Sequence, residues 1–127
     1  LEGILELVPT ARVGFVGLYR DEETKQPVTY YERFPRQIKG GTCIVIDPML
    51  ATGGSTVAAL NLLKSSGAEH IVVICIVTCP EGIALVEAAH PDVKIYAASI
   101  DDRLNEKKYI VPGLGDAGDR LFGTSHQ

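Results

Sequence analysis

No run of apolar residues in this 127-residue chain approaches the roughly 20 that an α-helix needs to cross a bilayer. No membrane span is therefore expected. No signal-peptide pattern stands at the start, where the chain opens on Leu1 rather than on methionine. Positive charge is not in excess: 12 Lys and Arg against 16 Asp and Glu leave a formal charge of −4. That balance argues against broad nucleic-acid binding, and a polyanionic ligand would have to be held by local groups rather than by the overall field. Two glycine-rich phosphate signatures are missing, the Walker A pattern G-x-x-x-x-G-K-[ST] and the dinucleotide pattern G-x-G-x-x-G. There is no internal repeat and no low-complexity segment. Cysteine is scarce and odd in number, at Cys43, Cys75 and Cys79. Cys43 and Cys75 fall in apolar strand-like runs, and no second Cys or His pair stands at ligand spacing. The expectation is buried, reduced thiols in a cytosolic setting, not disulfides or a zinc site.

What is present is one domain's worth of sequence with near-average apolar and charged content. Residues 1–8 place Leu1, Ile4, Leu5 and Val8 at helical spacing, and Pro9 ends that helix. Residues 11–19 read as a strand, 20–27 as a polar turn, and 28–34, with Tyr30 and Tyr31, as an exposed ribbon strand. Gly40-Gly41 breaks the chain before a short apolar strand at 42–46. The clearest helix is 55–66, with Val57, Leu60 and Leu63 as its buried stripe, Lys64 near its end and Gly67 past it. Burying each of those three side chains is worth about 1.5–3 kcal/mol. Residues 70–77 show no polar alternation, which predicts a strand covered on both faces. Pro80-Glu81 opens another helix that ends at His90-Pro91. A strand follows at 94–100, then a charged loop at 101–108, a short apolar run at 109–111 and a Gly/Asp-rich loop before a last helix. Strand, helix, strand, helix, strand predicts an α/β fold with a parallel sheet, whose ligands sit at the carboxyl ends of the strands. The loops after Ile46, Val77 and Val111 should meet there.

Three segments carry candidate chemistry. Residues 43–56, CIVIDPMLATGGST, end a strand in an acid and lead through a hydroxyl- and glycine-rich turn into a helix. Such a turn aims backbone N–H groups at an anion, as a phosphate cradle does. In it the hydroxyls of Thr52, Ser55 and Thr56 would join the 5′-phosphate, and Asp47, at the strand end, would accept from ribose hydroxyls. The alternative is an ordinary strand-to-helix turn. Arg20, in the polar loop Arg20-Asp21-Glu22-Glu23, has the planar fork that grips a diphosphate, although taken alone a solvated surface arginine fits better. Residues 109–120, YIVPGLGDAGDR, form a tight loop whose glycines let backbone approach a planar base, and Asp116 could face a hydrated magnesium. A plain turn before a helix, with Asp119 as its first-turn charge, is equally compatible. His70 and His90 are read as structural, at a strand start and a helix end, and His126 as part of a frayed tail.

ARVGFVGLYRDEET, IVIDPMLATGGS, CPEGIALVEAAHPDV, SIDDRLNE and YIVPGLGDAGDRLFGT resemble, in order and spacing, the uracil phosphoribosyltransferase family. The resemblance covers nearly the whole chain. It implies a type I phosphoribosyltransferase fold lacking its N-terminal part, with residues 1–127 as the C-terminal major part of the domain. It implies conversion of uracil and phosphoribosyl diphosphate (PRPP) to UMP and diphosphate in pyrimidine salvage, with Mg²⁺ as cofactor. By the same resemblance, Asp47, Pro48, Met49, Leu50, Ala51, Thr52, Gly53, Gly54 and Ser55 are the PRPP loop, and Arg20 is a PRPP contact. Arg20 and Asp47 are the catalytic candidates. Ile110, Gly115, Asp116 and Ala117 would read uracil through the main chain, Asp116 would also serve PRPP and, through water, the metal, and Tyr109 would lie beside the ribose. Purine-salvage relatives carry a further aspartate where Ala51 stands, which favours uracil. The family also implies a cytoplasmic homo-oligomer, dimer or tetramer, with GTP as an effector in some members and no nucleic-acid or membrane partner.

Two departures stand out. Family chains extend further at the N-terminus, with an arginine-bearing diphosphate loop, an early strand and a dimer arm, so a polypeptide that truly began at Leu1 would be a weak or inactive fragment. Thr78-Cys79 replaces a small pair before Pro80-Glu81, a change expected to be harmless. The rival from another class is a regulator of the same fold that senses nucleotides and binds RNA.

Overall fold

The computed structural model describes residues 1–124; His126 lies outside them. Its elements run α1 (Glu2–Leu7), β1 (Phe15–Arg20), β2 (Pro27–Arg33), β3 (Thr42–Leu50), α2 (Gly54–Ser65), β4 (His70–Thr78), α3 (Pro80–Ala89), β5 (Lys94–Ile100), β6 (Arg103–Leu104), β7 (Ile110–Val111) and α4 (Ala117–Phe122). Strands β3, β4 and β5 form a parallel sheet in that order. β1 pairs antiparallel with β2 as a separate ribbon, and β6 pairs antiparallel with β7. No helix among the described residues is long and apolar enough to cross a membrane.

The core follows from the crossovers. Parallel connections are right-handed, so a sheet that grows steadily in one direction places successive helices on one face. Leu60 of α2 and Val86 of α3 accordingly pack with Ile71, Val73 and Cys75 of β4, while Cys43 and Val45 of β3 and Ile95 and Ala97 of β5 lie against the same cluster. Val57 and Leu63 join it beside the fully buried Leu60, as their spacing predicts. This corrects the reading of β4 as covered on both faces. Its burial alternates, and Ile76 is 59% exposed on the side opposite the helices, where Ile44, Ile46 and Tyr96 are also exposed. An unbroken apolar run cannot distinguish one covered face from two.

Strand limits also differ from the sequence pattern. β1 starts at Phe15 rather than at residue 11. β3 continues through Asp47 and Pro48 to Leu50, so Asp47 is a strand residue three positions short of the end. As an edge strand of the sheet, β3 accommodates Pro48, which has no N–H to give a neighbour. The charged segment after β5 contains the two-residue strand β6.

Candidate active site

The shortened turn at the end of β3 is Ala51-Thr52-Gly53. Gly53 is the N-cap of α2 with φ 87° and ψ −9°, and no side chain caps that helix. Its first N–H groups have no intrahelical acceptor, and that of Gly54 makes only a weak 3.5 Å contact to Thr52 Oγ1. Ser55 is exposed, whereas Thr56 is 4% exposed and turned into the protein, so of the two hydroxyls only that of Ser55 stands in the open. Gly53 is required twice over: its φ suits glycine, and a Cβ there would come within 2.9 Å of the Gly82 carbonyl.

The floor of the turn is the start of α3. Thr78 Oγ1 donates to the Leu50 carbonyl at 2.8 Å, and Cys79 Sγ lies 3.3 Å from the Ala51 carbonyl. Gly82 is buried, and a Cβ on it would meet the Ala51 carbonyl oxygen at 2.4 Å. Three residues thus hold the turn that sequence reading had not assigned to it. Thr78 and Cys79, the pair that departs from the family pattern, both touch the turn through their side chains. A glycine inside a helix, where alanine is favoured by about 1 kcal/mol, was the signal available for Gly82.

Arg20 closes the turn from above. At the end of β1, it directs Nη2 to Thr52 Oγ1 at 3.4 Å, a weak contact across two elements distant in sequence. The loop behind it is ordered by Asp21, whose Oδ1 accepts from Glu23 N at 3.0 Å and Thr24 N at 2.7 Å. The Thr24 N–H holds the Asp21 carboxyl below its ordinary pKa.

Asp47 stands apart from this turn. It projects to the helix-covered face opposite Cys75, half buried, with Oδ1 accepting from Met49 N at 3.0 Å. Burial pushes its pKa up, and the Met49 N–H opposes part of that shift. It lines a groove of about 710 Å³ together with Ser55, Thr56 and residues of α1 and β3.

The second half is the loop after β7. Ile110 is buried, Gly115 has φ 77°, and Asp116 caps α4 by accepting from Asp119 N at 2.8 Å. Tyr109, Ile110, Gly115 and Asp116 line one open cleft with Asn105 and Arg120, and Ala117 begins α4 beside it. Asn105, also missed in sequence, accepts from the N–H groups of Lys107 (2.9 Å) and Tyr109 (3.0 Å) and so fixes the approach to Ile110. The Asp116 cap uses one carboxylate oxygen and leaves the other as an acceptor. Among the described residues no group of three or more His, Cys, Asp and Glu could enclose a metal ion.

The two halves share a base. Met49 and Ala51 from the first, and Leu114 from the second, pack against the buried trio Val77, Cys79 and Ile110 at the carboxyl end of β4. Asp47, Asp116 and Arg20 are not linked by any direct hydrogen bond given by the structure. The histidines stay structural. His70 is exposed at the start of β4, and His90 Nε2 pairs with Asn61 Oδ1 at 2.9 Å. Burial lowers the His90 pKa, with Lys64 adding to it. His90 is therefore a neutral tie from α3 to α2 rather than a cation on the helix dipole.

The chain has the phosphoribosyltransferase fold, in which a parallel sheet carries a helix start at one strand end and a glycine-rich loop beside it. It matches the solved purine phosphoribosyltransferase of Pyrococcus horikoshii with a TM-score of 0.58 at 14% identity, covering 83% of this chain and 71% of that one. At that identity the likeness concerns the fold alone. The family is narrower. The family model for uracil phosphoribosyltransferase matches residues 1–124, and the chain belongs to that family. It is 59% identical over 124 residues to the uracil phosphoribosyltransferase of Clostridium botulinum, covering 98% of this chain and 59% of that protein. A solved protein of Aquifex aeolicus superposes with a TM-score of 0.91 at 42% identity, covering 99% of this chain and 60% of the other. The chain thus spans about 59% of the length of the curated relatives it matches.

Proposed function

We propose that this chain carries the ribose-phosphate and base halves of a uracil phosphoribosyltransferase centre, which joins uracil to PRPP and releases UMP and diphosphate. The observation that carries the reading is the common seat of the two loops. Ala51 of the helix-start turn and Leu114 of the base loop rest on one cluster of Val77, Cys79 and Ile110, so ligands in the two halves would meet over the end of β4.

In this reading the 5′-phosphate sits on the open N–H groups at the start of α2, with the Thr52 and Ser55 hydroxyls. Arg20, drawn to Thr52, supplies charge to the departing diphosphate. Asp47 reaches the ribose from the strand. Ile110, Gly115, Asp116 and Ala117 present main-chain donors and acceptors to the edge of uracil, and Tyr109 lines the same cleft. Magnesium, if bound with PRPP, would supply charge neutralisation on the diphosphate. Asp116, with one carboxylate oxygen left by its cap, suits a contact through the ion's own water better than a cage. Ala51 offers no base, so the rate depends on alignment and on stabilising positive charge at C1′ and negative charge on diphosphate.

The three free cysteines suit a reducing cytoplasm. The exposed Phe15, Tyr19, Tyr30 and Tyr31 on the β1–β2 ribbon suit a homo-oligomer. The net charge of −4 gives an RNA-binding regulator no support. Residues 1–127 serve here as the C-terminal major part of the domain.

The test is incubation with labelled uracil, PRPP and magnesium, with adenine and hypoxanthine in parallel, and a calorimetric titration with UMP. Nucleotide formed from uracil and PRPP but not from adenine or hypoxanthine, and UMP bound in preference to purine nucleotides, are the expected results. Absence of both product and UMP binding sinks the reading.

A further inference from the structure

Asp101 lies just past β5, outside every group assigned above, yet three contacts converge on it. Its Oδ2 accepts from the Gly113 N–H at 2.8 Å, and its Oδ1 accepts from the Ser99 hydroxyl at 2.8 Å. Its own N–H donates to the Thr78 carbonyl at 2.8 Å. Next to it, the Asp102 N–H donates to the Val111 carbonyl at 2.9 Å. Gly113 stands in the middle of the loop between Ile110 and Gly115, wound so tightly that a Cβ there would overlap the Ile110 carbonyl.

We propose that Asp101 is a positioning residue that sets the base-reading loop against the ribose-phosphate turn. The path is continuous. The Gly113 amide is held by the Asp101 carboxylate, the Asp101 amide by Thr78, and the Thr78 hydroxyl holds the Leu50 carbonyl at the start of the turn. The side chains of Ile110 and Leu114 seat this loop on the core, but the peptide of Gly113 between them needs a partner from outside the loop. A charged acceptor on a backbone N–H, stronger than a neutral one, supplies that constraint from the residue after β5. Thr78 gives the same strap its second anchor through a hydroxyl. The inference rests on the uracil reading and adds the residue that aligns the two halves.

The test compares Asp101→Ala with Asp101→Asn. Alanine removes both acceptors. Asparagine can keep the Gly113 N–H on Oδ1 and turn its amide group to the Ser99 hydroxyl. Asp101→Ala is expected to speed hydrogen exchange at Gly113 and raise the KM for uracil about tenfold, the worth of one lost hydrogen bond, while the KM for PRPP holds. Asp101→Asn is expected to restore both. An unchanged KM for uracil in Asp101→Ala, or equal rises in both KM values with a fall in Tm, overturns the proposal. A wild-type protein that neither makes nor binds UMP strikes the uracil reading instead. Exchange at Gly113 then decides the hold of Asp101 on the loop by itself, and unchanged exchange in Asp101→Ala overturns it.

Discussion

Arg20 Nη2 lies 3.4 Å from Thr52 Oγ1, joining the tip of the β1–β2 ribbon to the turn that opens α2. At that length the hydrogen bond itself contributes little, and Arg20 is exposed. Its importance is position: the guanidinium stands over the uncapped helix start, where an anion would sit. Arg20→Ala is therefore expected to leave Tm unchanged and to weaken PRPP, raising its KM or lowering kcat by about 100-fold for a lost charged contact. Arg20→Lys should recover only part of this, because an ammonium cannot grip a diphosphate with two parallel bonds. Wild-type kinetics in Arg20→Ala would remove the residue from the site.

Asp47 pulls stability and function in opposite directions. Its folded pKa is raised by burial, so the folded state favours the protonated acid. Above that folded pKa, the ionised carboxylate costs stability relative to an unfolded chain titrating near about 3.9. Asp47→Asn removes the charge and can keep the Met49 N–H contact. Thermal melts should show Asn raising Tm at neutral pH, with the advantage shrinking as pH falls toward the ordinary carboxylate value. UMP formation should fall steeply in the same variant. A lower Tm at neutral pH would contradict the burial argument.

At Gly82 two effects compete. Helix propensity favours alanine by about 1 kcal/mol, but a Cβ would stand 2.4 Å from the Ala51 carbonyl oxygen and 3.0 Å from that of Leu50. Those carbonyls are also held by Cys79 and Thr78, so the turn cannot retreat freely. Overlap should win, making Gly82→Ala destabilising by about 1–3 kcal/mol in denaturant titration, with weaker phosphate-site binding. A more stable variant would show that the turn yields.

Much of this was legible in the sequence because it is written locally. The helix at 54–65 follows from the stripe of Val57, Leu60 and Leu63 and the glycine beyond it, and the parallel order from alternating apolar and helical segments. Three features were not local. The number of covered faces on β4 depends on where α2 and α3 cross, which an unbroken apolar run does not encode. The end of β3 at Leu50 rather than Ile46 depends on pairing with Val77 and Thr78 of β4, which overrides the look of Asp47-Pro48 as a stop. Four supports of the site, Thr78, Cys79, Gly82 and Asp101, meet backbone groups of other segments, so their partners cannot be read from one segment, whereas Asn105 acts locally on the N–H groups of Lys107 and Tyr109.

His90 makes folding sensitive to acid. Burial and Lys64 hold its folded pKa below the ordinary value, so the folded state binds fewer protons than the unfolded chain. Stability from this group is complete above the unfolded value of about 6.5 and declines as pH falls from there toward the folded pKa. Protonation leaves a charged ring between α2 and α3, at the contact with Asn61. The protein should melt at lower temperature near pH 5 than at neutrality, and His90→Gln should flatten that slope while lowering Tm at neutral pH. An equal slope in wild type and variant would assign the acid sensitivity elsewhere.

Ala51 tests whether the reaction needs a protein base. Its side chain is half buried against Val77, Cys79 and Ile110, and its carbonyl is fixed by Cys79. A carboxylate at this position faces apolar neighbours, which raises its pKa and costs about 1–3 kcal/mol unless it finds a hydrogen-bond partner. Uracil's N1 proton is more acidic than that of an ordinary amide, so a nearby base has little to add when alignment and diphosphate departure set the rate. Ala51→Asp should therefore lower Tm, give no gain in kcat with uracil and confer no activity with adenine. A clear rise in kcat with uracil, growing with pH through the titration of the new carboxylate, would mean that proton removal limits the rate and that the alanine withholds a base the chemistry can use.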